Sequence, residues 1–549
     1  MDYLRACIGS SLILATATAF AQEPIALAQL VDPETPSNLP AFQEEQEATF
    51  KISSFEIEGP ELIPRKQVME ILAAFQGRLI TFSELRVATS SVEKLHAIAG
   101  YEVVRVIVPE QDLAPEQSLK LVIVDARLDV VQVSGNQFFS ADHIRNQLPV
   151  LKEGALINTQ NMDKNLRLLN ENPALAVRVS LQPSDKPLLV DANIAAPDFD
   201  PTTAFITLDN TGTDATGKYR LGLVAQHNNL WGKGHMLSAQ AVTSPGRWSD
   251  VKVFGLGYKV PFAKLNSMLE LNFSDSSVEV GSLRVGSSAL NISGSGTAAS
   301  IKWTHLLDRW EGYDQRVSAS YEFKDFNSDV RLEGGATSLV PDVGSRPVGL
   351  SYHLINKQEV AQGQATIGYY KNFETSGKNS QEVYRQVNPM APVEFDLIKF
   401  NTSYSNQLAG DWRYSLALDG QMSGDSLISG EQFGAGGVYS VRGFEERVIS
   451  ADSGARVSLE LMSGNRNDWV KDWLPRLNFV AFLEGARLGL NSAPPGVKDE
   501  PGISSVGGGL RFAFVPAHQF KLDVARVLSG IPTQPSGETM VHFSFVTSL

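Results

Sequence analysis

The sequence runs to 549 residues with a formal net charge of -14, eight histidines and one cysteine. That length exceeds one ordinary globular domain, and the acidic balance excludes a nucleic-acid binder that works by neutralising phosphates along a basic stripe. No run approaches the ~18 uninterrupted apolar residues of a membrane helix. A membrane β-barrel stays open, because its strands give a much weaker hydropathy signal.

The chain opens on a targeting signal. Arg5 precedes an apolar run from Ser11 to Phe20, and Ala19-Phe20-Ala21 has the small-x-small form cut by signal peptidase, so residues 1–21 read as a signal peptide removed before Gln22. Cys7 lies inside it, so the mature chain would hold no disulfide. An exported, cysteine-free, acidic and glycine-rich chain fits the bacterial periplasm or outer membrane. Residues 22–50 contain Pro33, Pro36 and Pro40, then Glu44, Glu45 and Glu47. Such a stretch buries too little apolar surface to fold alone and reads as a linker, with a plug segment inside a pore as the alternative.

Two similar modules follow, over 51–126 and 127–198. In the first, Ile52 to Gly59 predicts a strand ending at a glycine turn. Pro64 opens a helix with Val68, Ile71, Leu72 and Phe75 on one face, and a second helix from Thr81 or Ser83 carries Leu85, Val92, Leu95 and Ile98. Strands at Val103–Val108 and Leu119–Val124 complete a β-α-α-β-β order. The same order returns with a strand at Leu128–Gly135, helices at Ala141–Leu148 and Asn158–Asn170, and strands at Leu175–Leu181 and Leu188–Ile194. A supersecondary unit repeated within about 75 residues predicts tandem copies, each with two helices on a three-stranded sheet that exposes an edge. An exposed edge can accept an extended peptide as an added strand.

From about Thr202 to Leu549 the pattern changes to alternating segments separated by Gly, Asp, Asn and Ser. Val317, Ala319, Tyr321 and Phe323 alternate with Arg316, Ser318, Ser320, Glu322 and Lys324, and Val541, Phe543 and Phe545 alternate with His542 and Ser544. Period two with one apolar face fits a sandwich or a membrane barrel. Length decides for a barrel over 201–549: at roughly ten residues per spanning strand plus turns, about sixteen strands are expected. Trp231, Trp248, Trp303 and Trp473 lie near segment ends, where they would suit interfacial girdles.

One loop stands out inside this region. After Gly434, Gly436 and Gly437 comes Val441-Arg442-Gly443-Phe444, a lone arginine on a segment that glycine allows to fold tightly. A guanidinium in a partly dry place needs a carboxylate. In the segment Leu477 to Gly485, Leu477, Phe479, Ala481 and Leu483 share the apolar face, so Asn478, Phe482 and Glu484 point inward, with Gly485 following. Glu484 is therefore a candidate mate for Arg442. Periodicity equally allows a solvated loop and an ordinary polar wall residue.

With these residues in view, the mature chain resembles the two-partner secretion transporters, the TpsB proteins of the haemolysin activator/secretion family. The repeated modules look like polypeptide-transport-associated (POTRA) domains. Val441-Arg442-Gly443-Phe444 matches the family's lumen-loop motif, and Phe482-Leu483-Glu484-Gly485 matches its barrel-wall motif, with Glu where Asp is frequent. Gly100-Tyr101, Val108-Pro109-Glu110-Gln111, Asn172-Pro173, Leu208-Asp209-Asn210 and Asn229 to Gly234 add to the likeness, whereas Leu549 stands where the family carries an aromatic. The resemblance implies an outer-membrane pore, with periplasmic POTRA domains, that captures an unfolded partner exoprotein and passes it to the cell surface. It implies a monomer in contact with outer-membrane lipid, no nucleic acid and no cofactor.

Catalysis is not expected, since no His-Glu-x-x-His helix, Gly-x-Ser-x-Gly elbow or Cys/His ligand spacing occurs, and Gly377-Lys378 lacks the upstream glycine of a phosphate-binding loop. The alternatives are an outer-membrane insertase, which usually has more periplasmic modules, a passive channel or plugged receptor, and a soluble sandwich.

Overall fold

A computed structural model describes residues 48–549, apart from 112–117, 214–215, 279–280, 286–287, 293–294, 328–339, 359, 468–475, 494–495, 497 and 516–517. The signal peptide, most of the 22–50 linker and Trp473 lie outside the described residues. Thr49 and Phe50, counted above in the linker, instead join Lys51 in a short strand paired with Leu79–Thr81.

The first module comprises β1 (Ser54–Glu58), α1 (Arg65–Leu72), α2 (Phe82–Ile98), β2 (Arg105–Ile107) and β3 (Ser118–Val124). Strand β3 is central, parallel to β1 and antiparallel to β2. Helix α2 starts at Thr81 because its side chain accepts from the Glu84 N–H while Glu84 accepts from the Thr81 N–H, satisfying two orphan amides at once. Val68, Leu72, Leu85 and Val92 bury against Phe55, Ile57, Leu119 and Leu121. Two expectations need correction. Ile98 ends α2 and points to solvent, 66% exposed, and the strand expected over Val103–Val108 shortens to three residues.

The second module repeats the order with β4 (Arg127–Ser134), α3 (Ala141–Asn146), α4 (Thr159–Leu169), β5 (Arg178–Pro183) and β6 (Leu189–Ala195), and β6 is again central. Ser140 and Asn158 cap the two helices through their side chains.

Sixteen antiparallel strands then close a barrel. They are β7 (Thr202–Asp209), β8 (Arg220–Leu230), β9 (His235–Thr243), β10 (Lys252–Phe262), β11 (Ser267–Ser276), β12 (Gly296–Leu306), β13 (Asp314–Phe326), β14 (Pro347–Lys357), β15 (Ala361–Asn372), β16 (Asp396–Gln407), β17 (Arg413–Met422), β18 (Ser453–Met462), β19 (Arg476–Gly489), β20 (Gly502–Val515), β21 (His518–Ser529) and β22 (Thr539–Ser548). Closure comes from β22 pairing with β7. Leu350, Ile367, Leu416, Leu459, Leu483 and Val524 are exposed on the outside. A continuous apolar exterior on this scale is stable only against lipid, which removes the sandwich alternative. No described helix is long and apolar enough to cross a membrane.

One end of the barrel carries short turns and the other long loops. Trp231 sits on the turn between β8 and β9, Trp303 near the turn end of β12, and Trp248 on the loop between β9 and β10 at the opposite end. Helix α4 ties the modules to the turn end. At its start, Thr159 N–H and Gln160 Nε2 donate to the carbonyls of Gly100 (2.8 Å) and Ile98 (2.7 Å) in the first module. Further along, Asn165 Nδ2 donates to the Ala263 carbonyl at 3.0 Å and Arg167 Nη2 to the Leu307 carbonyl at 2.6 Å. Lys164 pairs with Asp308 at 2.8 Å and, just past the helix, Glu171 pairs with Arg316 at 2.6 Å. Buried Asn172 donates to the Asn228 carbonyl at 2.6 Å.

Candidate functional site

The loop between β17 and β18 leaves the long-loop end and folds back into the lumen. A small hairpin of Phe433–Ala435 and Ile449–Ala451 frames it. Gly437 N–H donates to the Val441 carbonyl at 3.2 Å, and Glu446 folds back to accept from the Val438 N–H at 2.9 Å. Val441 and Phe444 are fully buried with Ala486, Leu488, Ile503 and Val527 of the wall. These apolar anchors fix the loop, so Arg442 between them has one place to go.

Arg442 meets Glu484 there. Its Nη2 and Nε lie 2.5 and 3.0 Å from Glu484 Oε1, and its own backbone N–H donates to Oε2 at 2.7 Å. One residue thus grips both carboxylate oxygens. The guanidinium carbon stacks 3.5 Å above the Phe482 ring, a cation–π contact that covers the face of the charge. Nη1 reaches Glu460 Oε2 at 3.1 Å and Asp523 Oδ2 at 3.4 Å. Arg511 holds Asp523 through two contacts of 2.7 and 3.1 Å, and Ser458 Oγ donates to Glu484 at 3.0 Å. Arg442 and Glu484 are each 5% exposed, so the pair is stable only because its hydrogen-bonding capacity is filled by such neighbours.

Gly443 has φ 95°, a left-handed backbone that glycine adopts without strain. Its N–H donates to His542 Nε2 at 2.9 Å, and an added Cβ would stand 3.2 Å from the Ala525 Cβ. On β20, a Cβ on Gly507 would fall 2.3 Å from the Phe482 ring and one on Gly509 2.0 Å from the Asp523 carboxylate. These two inward positions lack side chains because the ring and the carboxylate fill the space.

The structure thus brings Val441, Arg442, Gly443, Phe444, Phe482 and Glu484 together. Gly485 lies on the outer parity of β19, away from the cluster. Sequence reasoning missed Glu460, Asp523, Arg511, Ser458 and His542. Their available signal was inward parity on their strands, together with the run Gly507-Gly508-Gly509 in an alternating segment.

Several quoted stretches acquire physical reasons as well. Gln111 mimics a strand, accepting from Lys120 N–H at 2.9 Å and donating to its carbonyl at 3.0 Å. Asn210 brackets the barrel seam, donating to the Val541 carbonyl at 2.7 Å and accepting from the Phe543 N–H at 2.8 Å. Asn229 donates to the Phe138 carbonyl at 3.1 Å, joining its turn to the second module.

Comparison with known proteins places this geometry. The family model described as haemolysin secretion/activation protein ShlB/FhaC/HecB matches residues 191–480, and that of the ShlB-type POTRA domain matches residues 50–125. The outer membrane transporter CdiB of Dickeya dadantii (strain 3937) is 23% identical over 432 residues, covering 78% of this chain and 74% of that protein. The heme/hemopexin transporter protein HuxB of Haemophilus influenzae (strain 86-028NP) is 19% identical over 502 residues, covering 88% and 85%. Among solved structures, CdiB from Escherichia coli superposes with a TM-score of 0.75 at 17% identity over 95% of this chain and 93% of that one. CdiB from Acinetobacter baumannii gives 0.71 at 17% identity over 92% and 91%. The chain belongs to the haemolysin secretion/activation protein family ShlB/FhaC/HecB, outer-membrane β-barrel transporters with periplasmic POTRA domains that serve protein secretion.

Proposed function

We propose that this transporter takes an unfolded partner exoprotein from the periplasm and passes it through the barrel lumen to the cell surface, without nucleotide hydrolysis. The observation that carries this reading is the loop of residues 423–452, fastened inside the lumen through the buried Arg442–Glu484 pair, in a barrel whose turn end bears sheets with free edges. Residues 51–126 and 127–198 act as two POTRA domains that capture the substrate as an added strand. Among the described residues, strands β2 and β5 each pair on one side only. On β2 the Glu93 carboxylate accepts from the Val106 N–H at 2.8 Å, a contact that an incoming strand displaces. The outer membrane faces no ATP pool, so folding of the emerged substrate biases its movement outward. Val441 to Phe444 hold the loop, and Phe482 and Glu484 receive it.

A cysteine-free mature chain makes the path testable. Single cysteines at Ser320→Cys, on the lumen parity of β13, and at Leu350→Cys, on the lipid face of β14, are compared for disulfide capture of a partner arrested in transit by a folded C-terminal tag. Capture at position 320 and not at 350 is expected. Capture of the arrested partner at neither position, with the untagged partner still exported by both variants, contradicts passage through the lumen.

A further inference from the structure

The outward wall from β7 to β10 is not uniform. Register places Ile206, Leu223, Ala241 and Phe254 in one lateral row, neighbour paired with neighbour. The next row toward the turn end is Ala204, Ala225, Ala239 and Leu256. Four alanines therefore stand where this wall otherwise carries large side chains, and they leave a trough between Leu223 on one side and Phe254 and Leu256 on the other. Above it, Trp248 overhangs from the loop at 244–251. Hydrogen bonds from Arg247 N–H to the Ser244 carbonyl and from Val251 N–H to the Arg247 carbonyl, at 3.0 and 3.2 Å, order that loop. The upper part is a groove of ≈ 640 Å³ lined by Ile206, Leu221, Leu223, Ala241, Trp248 and Phe254, with Lys252 and Asp275 at its edge.

We propose that this groove binds one acyl chain of a phosphate-bearing lipid of the outer leaflet. Position selects the occupant. The groove opens on the lipid-facing exterior, continuous with its apolar band, and lies at the end opposite the periplasmic POTRA domains. The acyl chain lies over Ala241 and Ala239, where an alanine row gives it the depth that larger side chains would fill. Lys252 belongs to the outward row two residues beyond Phe254 on β10, about 7 Å further along the tilted strand and so about 5 Å nearer the surface, toward the level of a lipid phosphate. Asp275 continues the Phe254 row on the far side, where it accepts from Thr297 Oγ1 at 2.9 Å, and Lys252 brings a cation to the edge of the trough. Trp248 has an amphipathic ring suited to that same level.

The full chain in mild detergent, presented with a phosphorylated, hexa-acylated glucosamine disaccharide and read by native mass spectrometry, tests this. Wild type retains the lipid. Ala241→Trp fills the trough and abolishes retention. Trp248→Ala, a change confined to a loop and so safe for folding, lowers it severalfold. Lys252→Glu weakens the phosphorylated probe about fivefold while leaving a neutral diacylglycerol unchanged. Leu459→Ala, on the lipid face of β18, changes nothing. Retention equal to wild type in heat-modifiable, folded Ala241→Trp, or in Trp248→Ala should the first variant not fold, overturns the site. Equal weakening of both probes by Lys252→Glu overturns its phosphate contact.

Discussion

Arg442 is delivered to Glu484 by two apolar anchors, and the pair works as a fastener because nearly all water is excluded from it. Removing the guanidinium leaves Glu484 buried beside Glu460 and Asp523 with Arg511 as the remaining cation. Breaking a buried pair in this way costs about 3–5 kcal/mol, enough to release the loop while sixteen hydrogen-bonded strands stay closed. Arg442→Ala is therefore expected to make residues 437–448 accessible to added protease while heat-modifiable migration stays normal. The exchange Arg442→Glu with Glu484→Arg restores opposite charges, but loses the grip that the Arg442 backbone N–H adds to the carboxylate. It is expected to recover part of the loop protection that either single change removes, and no recovery at all would count against a direct pair. Phe482→Leu keeps an apolar side chain and removes the stacking, so protection is expected to fall by about tenfold, the range of one cation–π contact.

At the scale of elements, α4 is a strut whose first turn holds one module and whose later residues hold the turns of the barrel. Its carbonyl partners lie in segments distant in sequence, so losing a donor leaves buried acceptors unmet at about 1–3 kcal/mol each. Asn165→Ala combined with Asn172→Ala is expected to broaden the spin-label distance distribution between the first module and the barrel, leaving each fold intact by circular dichroism. The contact of the second module with the barrel also has a pH dependence, through His143 of α3, whose Nε2 would lie 2.8 Å from a Cβ built on Gly234 of the β8–β9 turn. Burial, reinforced by nearby His235, holds the His143 imidazole below its ordinary range. The folded state then binds fewer protons than the unfolded state, so this contribution is whole above about pH 6.5 and declines as pH falls from there toward the lower folded value. Protease cleavage between the second module and β7 is expected to rise from pH 7.5 to pH 5, and His143→Gln is expected to flatten the rise.

For the whole molecule, what could be read from sequence follows from how local each signal is. The order of β1 to β3 and its repeat in β4 to β6 came from periodicities and from start and stop signals such as Gly59, Pro64 and Thr81, all within one element. The inward parity of Glu484 came from alternation along β19 alone. Asp523, Glu460 and Arg511 were not legible because their meeting depends on the register of several strands, and a one-residue slip would turn each of them to lipid. The role of Gly507 and Gly509 was hidden for the same reason, since the atoms that require glycine belong to β19 and β21. Ile98 misled because its helical spacing matched the core face, although it stands on the last residue of α2. Loop 373–395 was also opaque: its helix, α5 (Gln381–Val387), and buried Tyr384 and Phe395 make sense only against Leu427 and Ile428 of the next loop.

On the function proposed here, the fastened loop belongs to a secretion path for a partner exoprotein. The test is export of a candidate partner exoprotein co-expressed with this chain, by wild type and by Arg442→Ala, with folding of each barrel followed by heat-modifiable migration. The partner is expected in the medium with wild type and is expected to be lost from it, by about tenfold or more, with a folded mutant. Partner export unchanged by a folded Arg442→Ala barrel, or a partner retained with both while other outer-membrane barrels fail to assemble on depletion, would contradict it.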